Sequence, residues 1–227
     1  MEQEPFIDAQ ISQKVKQKAI SSVKWSFLTE AAAKAIYPLA NLILARILFP
    51  ADFGLFAMAT AVTSLGQLLQ DFGLGRALIQ TEHDPKKSAS IVFWSNTALS
   101  VILYAVMFFA APLAGAFFRQ TALVPLIRAL GLQIILVALG SAQFSLLQRE
   151  FKFKSIFLSG AGLALCSVGI SISLAFAGYG VWSLVLGALA GSLAQTILLL
   201  KLGGWRPDFS FDKELAKKLF YFGGWLI

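Results

Sequence analysis

The chain has 227 residues, of which 57% are apolar and only 14% charged, and its formal net charge is +7. A soluble domain of this size carries about 45–50% apolar and about 25% charged residues, and the excess here is gathered into nearly uncharged runs of about twenty residues, twice the usual upper length of a strand. These properties exclude a single water-soluble α/β core. Because the bases flank apolar runs instead of forming one compact face, they also argue against a nucleic-acid partner.

Met1 to Gln13 are polar and partly acidic, with no apolar core of a cleavable signal peptide, and residues 1–24 read as a cytoplasmic N-terminal segment. Ile11, Val15, Ala19 and Val23 recur four apart among lysines, the spacing of an amphipathic helix lying along a membrane surface; a plain extension of the first span is the alternative. The first span is expected from Trp25 to Phe49. Within it Glu30 and Lys34 stand four apart and can pair, and Pro38 favours a bend by removing the bond to the Lys34 carbonyl. Two readings of this pair stay open, as lining of a protein cavity or as side chains reaching the interface.

The second span begins near Phe53, after Pro50-Ala51-Asp52, and runs uncharged through Gln70. It closes on Asp71-Phe72-Gly73-Leu74-Gly75-Arg76, either a gate with Asp71 and Arg76 as its charges or a helix end followed by a loop. Asp84-Pro85 predicts the start of the next helix. The third span is expected from Ser90 to Phe109, with Pro112 near its far end. The fourth falls within Leu123–Leu147, the fifth within Ile156–Phe176 and the sixth within Val181–Leu200. A helix of twenty residues covers the hydrocarbon core of about 30 Å. Residues 25–202 therefore read as a six-span bundle and 203–219 as a cytoplasmic loop. Residues 220–227 read as the truncated start of a seventh span.

Charge placement orients this bundle. Of the 19 Lys and Arg residues, 15 fall before the first span or after the second, fourth and sixth, whereas Arg46, Arg119 and Arg128 lie on or near the other side. The positive-inside rule then puts the N-terminus in the cytoplasm. Short external connections leave no room for a folded catalytic domain. A P-loop, GxGxxG and HExxH are all missing; the sole histidine, His83, sits in a charged loop, and Cys166 is a lone thiol in an apolar run. No enzymatic activity and no metal or cofactor is expected, while ion or proton coupling stays open.

Several polar residues lie inside the spans. Arg128 falls in the fourth, with Gln133 and Gln143 farther along, and Arg128 and Gln143 are about 60° apart around a straight helix. Asn96 adds a polar group to the third. Lys34, Arg128, Asn96 and Gln133 are the substrate-binding candidates, with Glu30, Asp71 and Arg76 as gate or pairing candidates; packing and interfacial roles are the alternative for each. Gly187 and Gly191 form a GxxxG pair suited to close helix contact. Phe53-Gly54-Leu55-Phe56-Ala57 and Tyr179-Gly180-Val181-Trp182-Ser183 echo one another, each expected to follow an external turn that glycine permits.

Ile43-Leu44-Ala45-Arg46-Ile47-Leu48 with Pro50 through Thr60, Asp71 through Gln80, and Leu146-Leu147-Gln148-Arg149-Glu150-Phe151-Lys152-Phe153 form a recognisable series. Gly180-Val181-Trp182-Ser183-Leu184, Trp205-Arg206-Pro207 and Lys218-Leu219-Phe220-Tyr221-Phe222-Gly223 complete it. Together they resemble the bacterial polysaccharide-biosynthesis membrane proteins, the oligosaccharide or lipopolysaccharide flippases of the multidrug/oligosaccharidyl-lipid/polysaccharide exporter superfamily. The resemblance implies an all-α, polytopic transmembrane helical bundle forming the amino-terminal lobe of a MATE-like two-lobed transporter in the bacterial inner membrane. The implied activity is translocation of an undecaprenyl-pyrophosphate-linked oligosaccharide. The implied partners are that lipid-linked sugar, the carboxy-terminal lobe of the same protein and polysaccharide assembly enzymes. A multidrug or cation-coupled exporter of the same superfamily and a non-transporting scaffold for polysaccharide assembly are the alternatives. An acidic cavity would favour the first and an interior packed shut the second.

Overall fold

Proline opens two of the helices. Pro50 and Pro85 each occupy a first helical position, where the missing N–H costs nothing. The computed structural model describes residues 35–70 and 85–208, and within them every regular element is an α-helix. These are α1 (Ala35–Leu44), α2 (Pro50–Gln70), α3 (Pro85–Phe117), α4 (Leu123–Arg149), α5 (Phe153–Phe176) and α6 (Val181–Gly203). Segment 1–24, Glu30, Lys34, Asp71, Arg76, His83 and residues 209–227 lie outside the described residues. Helices α2 to α6 are each long and apolar enough to cross a bilayer, and α1 is a shorter apolar helix. The chain is a multi-pass membrane protein.

Two spans differ from their expected bounds by more than about three residues. The first was expected to reach Phe49, yet α1 ends at Leu44. Beyond it the N–H groups of Arg46 and Ile47 reach back only three residues, to Ile43 and Leu44 (3.1 and 3.0 Å), which tightens the last turn. The third was expected from Ser90 to Phe109, yet α3 runs for 33 residues with Pro112 inside it. Proline withholds the N–H that would bond the carbonyl four residues back. That carbonyl belongs to Phe108, and Arg128 of α4 donates its Nε–H to it at 3.3 Å. A side chain from the next helix thus replaces the bond that Pro112 cannot make.

Helix α6 closes on the left-handed Gly204 (φ 66°), and three other helices also close with a left-handed residue just past the end. In those three the residues are Arg119 (φ 53°), Phe151 (φ 57°) and Gly178 (φ 82°). After each, the next N–H returns five residues: Gln120 to Gly115, Lys152 to Leu147 and Tyr179 to Leu174, at 2.9, 2.9 and 3.1 Å. At the opposite end of α6, Asp52 joins two helix starts. One carboxylate oxygen accepts from the Phe49 N–H and the other from the Val181 N–H, each at 3.1 Å. Gly180, with φ 53°, precedes Val181, and a Cβ there would stand 3.3 Å from Asp52 Oδ1. Gly54 has no such role, since it lies within α2 with open space where a Cβ would be. The two echoing segments therefore differ in register: one glycine makes a turn and the other does not.

Helices α4 and α6 form the centre, with 44% of each span buried against 17% for α2, α3 and α5. Leu123, Leu126, Ile127 and Leu130 of α4 pack with Ala59 of α2, Ala111 of α3 and Val185 of α6. Leu44 and Leu48 hold the α1 end against Ala175 of α5 and Leu184 of α6. Lipid supplies little hydrophobic drive between helices, so close packing and interhelical hydrogen bonds carry the association, the latter at about 0.6 kcal/mol each on average. Gln70 Nε2 donates to the Ile134 carbonyl at 3.0 Å, and Thr196 Oγ1 to the Leu136 carbonyl at 2.8 Å. Both partners are backbone atoms of α4.

The turns at 45–49, 118–122 and 177–180 share one end of the bundle. The 150–152 turn and residues 204–208 lie at the other, where the Asp208 carbonyl accepts from Trp94 Nε1 at 3.2 Å. Arg46 and Arg119 belong to the first end, whereas Arg149, Lys152, Lys154, Lys201 and Arg206 belong to the second.

Candidate functional site

A cavity of about 240 Å³ opens among α1, α2, α4, α5 and α6. Its apolar wall consists of Ala40, Leu44, Phe56, Leu163, Val168, Leu184 and Ala188. Its polar groups are Tyr37, Asn41, Gln133, Ser167, Ser171 and Ser192. Tyr37 and Asn41 are themselves exposed, which puts the mouth beside α1, while Ser171 and Ser192 are 5% and 6% exposed and mark the floor. Every lining residue is neutral.

Helical spacing builds the polar part. Tyr37 and Asn41, Ser167 and Ser171, and Ala188 and Ser192 are each four apart, so each pair lies along one face of its helix. The floor exists because α5 and α6 approach closely. A Cβ on Gly187 would stand 2.7 Å from the Ser167 carbonyl, and one on Gly191 would stand 2.7 Å from the Leu163 carbonyl. The GxxxG pair is thus a helix contact, as its spacing suggests, and it carries the serines of α5 up to those of α6.

Gln133 is oriented by α6. Its Nε2 donates to the Ala188 carbonyl and to Ser192 Oγ, both at 3.0 Å, and Ser192 Oγ donates onward to the Ala188 carbonyl at 3.1 Å. With both amide hydrogens engaged, the side chain has only its carbonyl oxygen left to offer. Tyr37, Asn41, Ser167 and Ser171 make no side-chain hydrogen bond among the described residues. The cavity therefore presents hydroxyls and amides that can both donate and accept, beside two aromatic rings.

Of the substrate-binding candidates, Gln133 lines this cavity, and Arg128 and Asn96 do not. Half-buried Arg128 faces α3, its guanidinium carbon 4.2 Å from the centre of the Phe108 ring. Asn96 is buried between α3 and α4, where its Nδ2 donates to Ser141 Oγ at 3.0 Å and its Oδ1 finds no partner among the described residues. Gln143 is fully buried and bonds the Trp205 carbonyl beyond α6, so Arg128 and Gln143 meet different neighbours. The sequence reasoning passed over Tyr37, Asn41, Ser167, Ser171 and Ser192. Their signal is modest: small polar pairs four residues apart in otherwise apolar helices.

Residues 43–227 match the family described as polysaccharide biosynthesis protein, and the chain belongs to that family. It is 32% identical over 206 residues to the succinoglycan biosynthesis transport protein ExoT of Rhizobium meliloti, covering 89% of this chain and 41% of that one. It is 25% identical over 214 residues to the lipopolysaccharide biosynthesis protein WzxC of Escherichia coli, covering 93% and 44%. With the teichuronic acid biosynthesis protein TuaB of Bacillus subtilis the identity is 24% over 214 residues, covering 92% and 44%. The chain thus spans less than half the length of these relatives. No solved structure matches it significantly.

Proposed function

We propose that this chain is the amino-terminal lobe of a two-lobed flippase that carries an undecaprenyl-pyrophosphate-linked oligosaccharide from the cytoplasmic to the periplasmic leaflet of the bacterial inner membrane. The observation that carries this reading is the cavity: open polar groups inside a bundle of membrane-spanning helices, in a member of a polysaccharide-biosynthesis family. A polar interior is costly within a membrane unless it lines a path for something polar. The relative named as a succinoglycan transport protein points the same way. A scaffold that only assembles other proteins has no need of such an opening. A cation-coupled exporter is favoured by carboxylates on the wall, and these lining residues are neutral.

In this reading no bond is made or broken, and the lobe acts with its carboxy-terminal counterpart. Lys34 and the guanidinium nitrogens of Arg128 other than Nε are the candidates for the pyrophosphate, since both side chains pair with phosphate oxygens. The N-terminus faces the cytoplasm, supported by the bases at the 150–152 end. The test is reconstitution of the full-length protein in vesicles with a fluorescent lipid-linked oligosaccharide, scoring transfer between leaflets. Saturable transfer is expected, reduced by Lys34→Ala at equal insertion. Transfer no faster than in protein-free vesicles, with correctly inserted protein, sinks the proposal.

A further inference from the structure

The cavity and the lipid pyrophosphate are a poor chemical match. A pyrophosphate wants cations, and the cavity wall has none. It offers instead the Gln133 carbonyl oxygen, the Asn41 amide and the hydroxyls of Tyr37, Ser167 and Ser171, with the Tyr37 and Phe56 rings beside them. Neutral groups that both donate and accept suit a ligand whose own groups do the same. Aromatic faces suit a ligand with apolar C–H surface as well. A sugar ring has both features, with hydroxyls around its rim and C–H bonds across its face. Size agrees: at about 240 Å³ the cavity falls below the roughly 300–1,000 Å³ of clefts that hold drug-sized ligands, and one ring with its hydroxyls is what it can enclose.

We propose that this cavity is a binding subsite for a single neutral pyranose ring, separate from the contacts that hold the pyrophosphate. Gln133 is the specificity element. Ser192 and the Ala188 carbonyl fix its amide hydrogens, so its oxygen accepts from one sugar hydroxyl in a set direction. Ser167 and Ser171, on the next helix, reach neighbouring hydroxyls. Tyr37 and Asn41 stand at the mouth and admit the ring. The same chemistry covers a free sugar and a sugar at the head of a lipid. Deepening the transport reading to a sugar contact during translocation rests on that reading; the subsite itself does not.

The experiment uses the full-length protein in nanodiscs, with Cys166→Ala removing the neighbouring native thiol and Ser167→Cys as a reporter. The rate of modification by a methanethiosulfonate reagent is measured alone, with a panel of methyl glycosides, and with inorganic pyrophosphate. Protection by at least one glycoside, and none by pyrophosphate, is the expected result. Gln133→Leu should then weaken the protecting glycoside about 2- to 10-fold, the effect of one neutral hydrogen bond, and Gln133→Asn serves as a gentler variant if the leucine protein misfolds. Absence of protection by every glycoside, or equal protection by pyrophosphate, overturns the subsite. Leaflet transfer of the lipid-linked oligosaccharide is scored in parallel on the unsubstituted full-length protein in sealed vesicles. Transfer without glycoside protection rejects the subsite and keeps the flippase, and protection without transfer rejects the flippase and keeps the subsite.

Discussion

Pro112 and Arg128 lie on different helices, yet each explains the other. An unbonded carbonyl in hydrocarbon is expensive, and the one that Pro112 frees at Phe108 is answered by the Arg128 Nε–H at 3.3 Å. The Phe108 ring under the guanidinium adds a cation–π contact. In sequence, Pro112 looked like the end of a span and Arg128 like a lone charge, because the i to i+4 accounting that joins them passes through a third residue on a neighbouring helix. The pairing gives a measurable coupling. Arg128→Ala in the intact protein should lower thermal stability by about 1 kcal/mol, the scale of one such hydrogen bond. Pro112→Ala supplies a backbone donor to Phe108, so the loss in Pro112→Ala/Arg128→Ala should be clearly smaller than in Arg128→Ala alone. Thermal unfolding of the four proteins in detergent measures the cycle, and strict additivity removes the structural link. Transport measured on the same set separates this role from phosphate binding, which Pro112→Ala has no means of restoring.

At the scale of elements, the contact between α5 and α6 was the most legible in the sequence. Gly187 and Gly191 advertise close approach by their spacing. The distances of 2.7 Å from their hypothetical Cβ atoms to the α5 backbone leave no room for any side chain. Backbone cannot give way as a side-chain tip can, so Gly187→Leu and Gly191→Leu should each push the helices apart. A loss of about 1–3 kcal/mol is expected from overpacking alone, read as a lower melting temperature by fluorescence-detected size exclusion. Gly54→Leu is the control: nothing lies within 4 Å of its Cβ position, and its melting temperature should hardly change. Equal losses at all three positions contradict this account. The turns were less legible. Gly178 signals its left-handed conformation by residue type, whereas Arg119 and Phe151 adopt the same conformation without any such signal. There, helix ends and hydrogen bonds returning five residues decide the backbone, against the residues' own preference.

For the whole molecule, hydropathy located the apolar helices α2 to α6 and charge set an expectation for their direction, and the two said little of the interior. Long apolar runs carry their own backbone hydrogen bonds, so each helix is readable from its own segment. The cavity is made of groups from five segments and exists only once those helices are arranged; of its polar residues, only Gln133 stood out in sequence as a long amide in an apolar run. Orientation is the global property that remains open to a direct test. Arg149, Lys152, Lys154, Lys201 and Arg206 at the 150–152 and 204–208 end outnumber Arg46 and Arg119 at the other, and the Asp52 link to Val181 holds the 45–49 and 177–180 turns on one side. If bases stay in the cytoplasm, Lys152 lies inside and Gly178 outside. In a Cys166→Ala background, a cysteine replacing Lys152 should resist an impermeant maleimide in intact cells and react after permeabilisation. At the 177–180 turn, Tyr179→Cys is the better probe, because Gly178 has φ 82° and a side chain there is strained; Tyr179 is 55% exposed and should react in intact cells. The reversed pattern inverts the topology while leaving the helix packing untouched. Labelling of both positions from outside contradicts the alternation of turns on which the bundle is built.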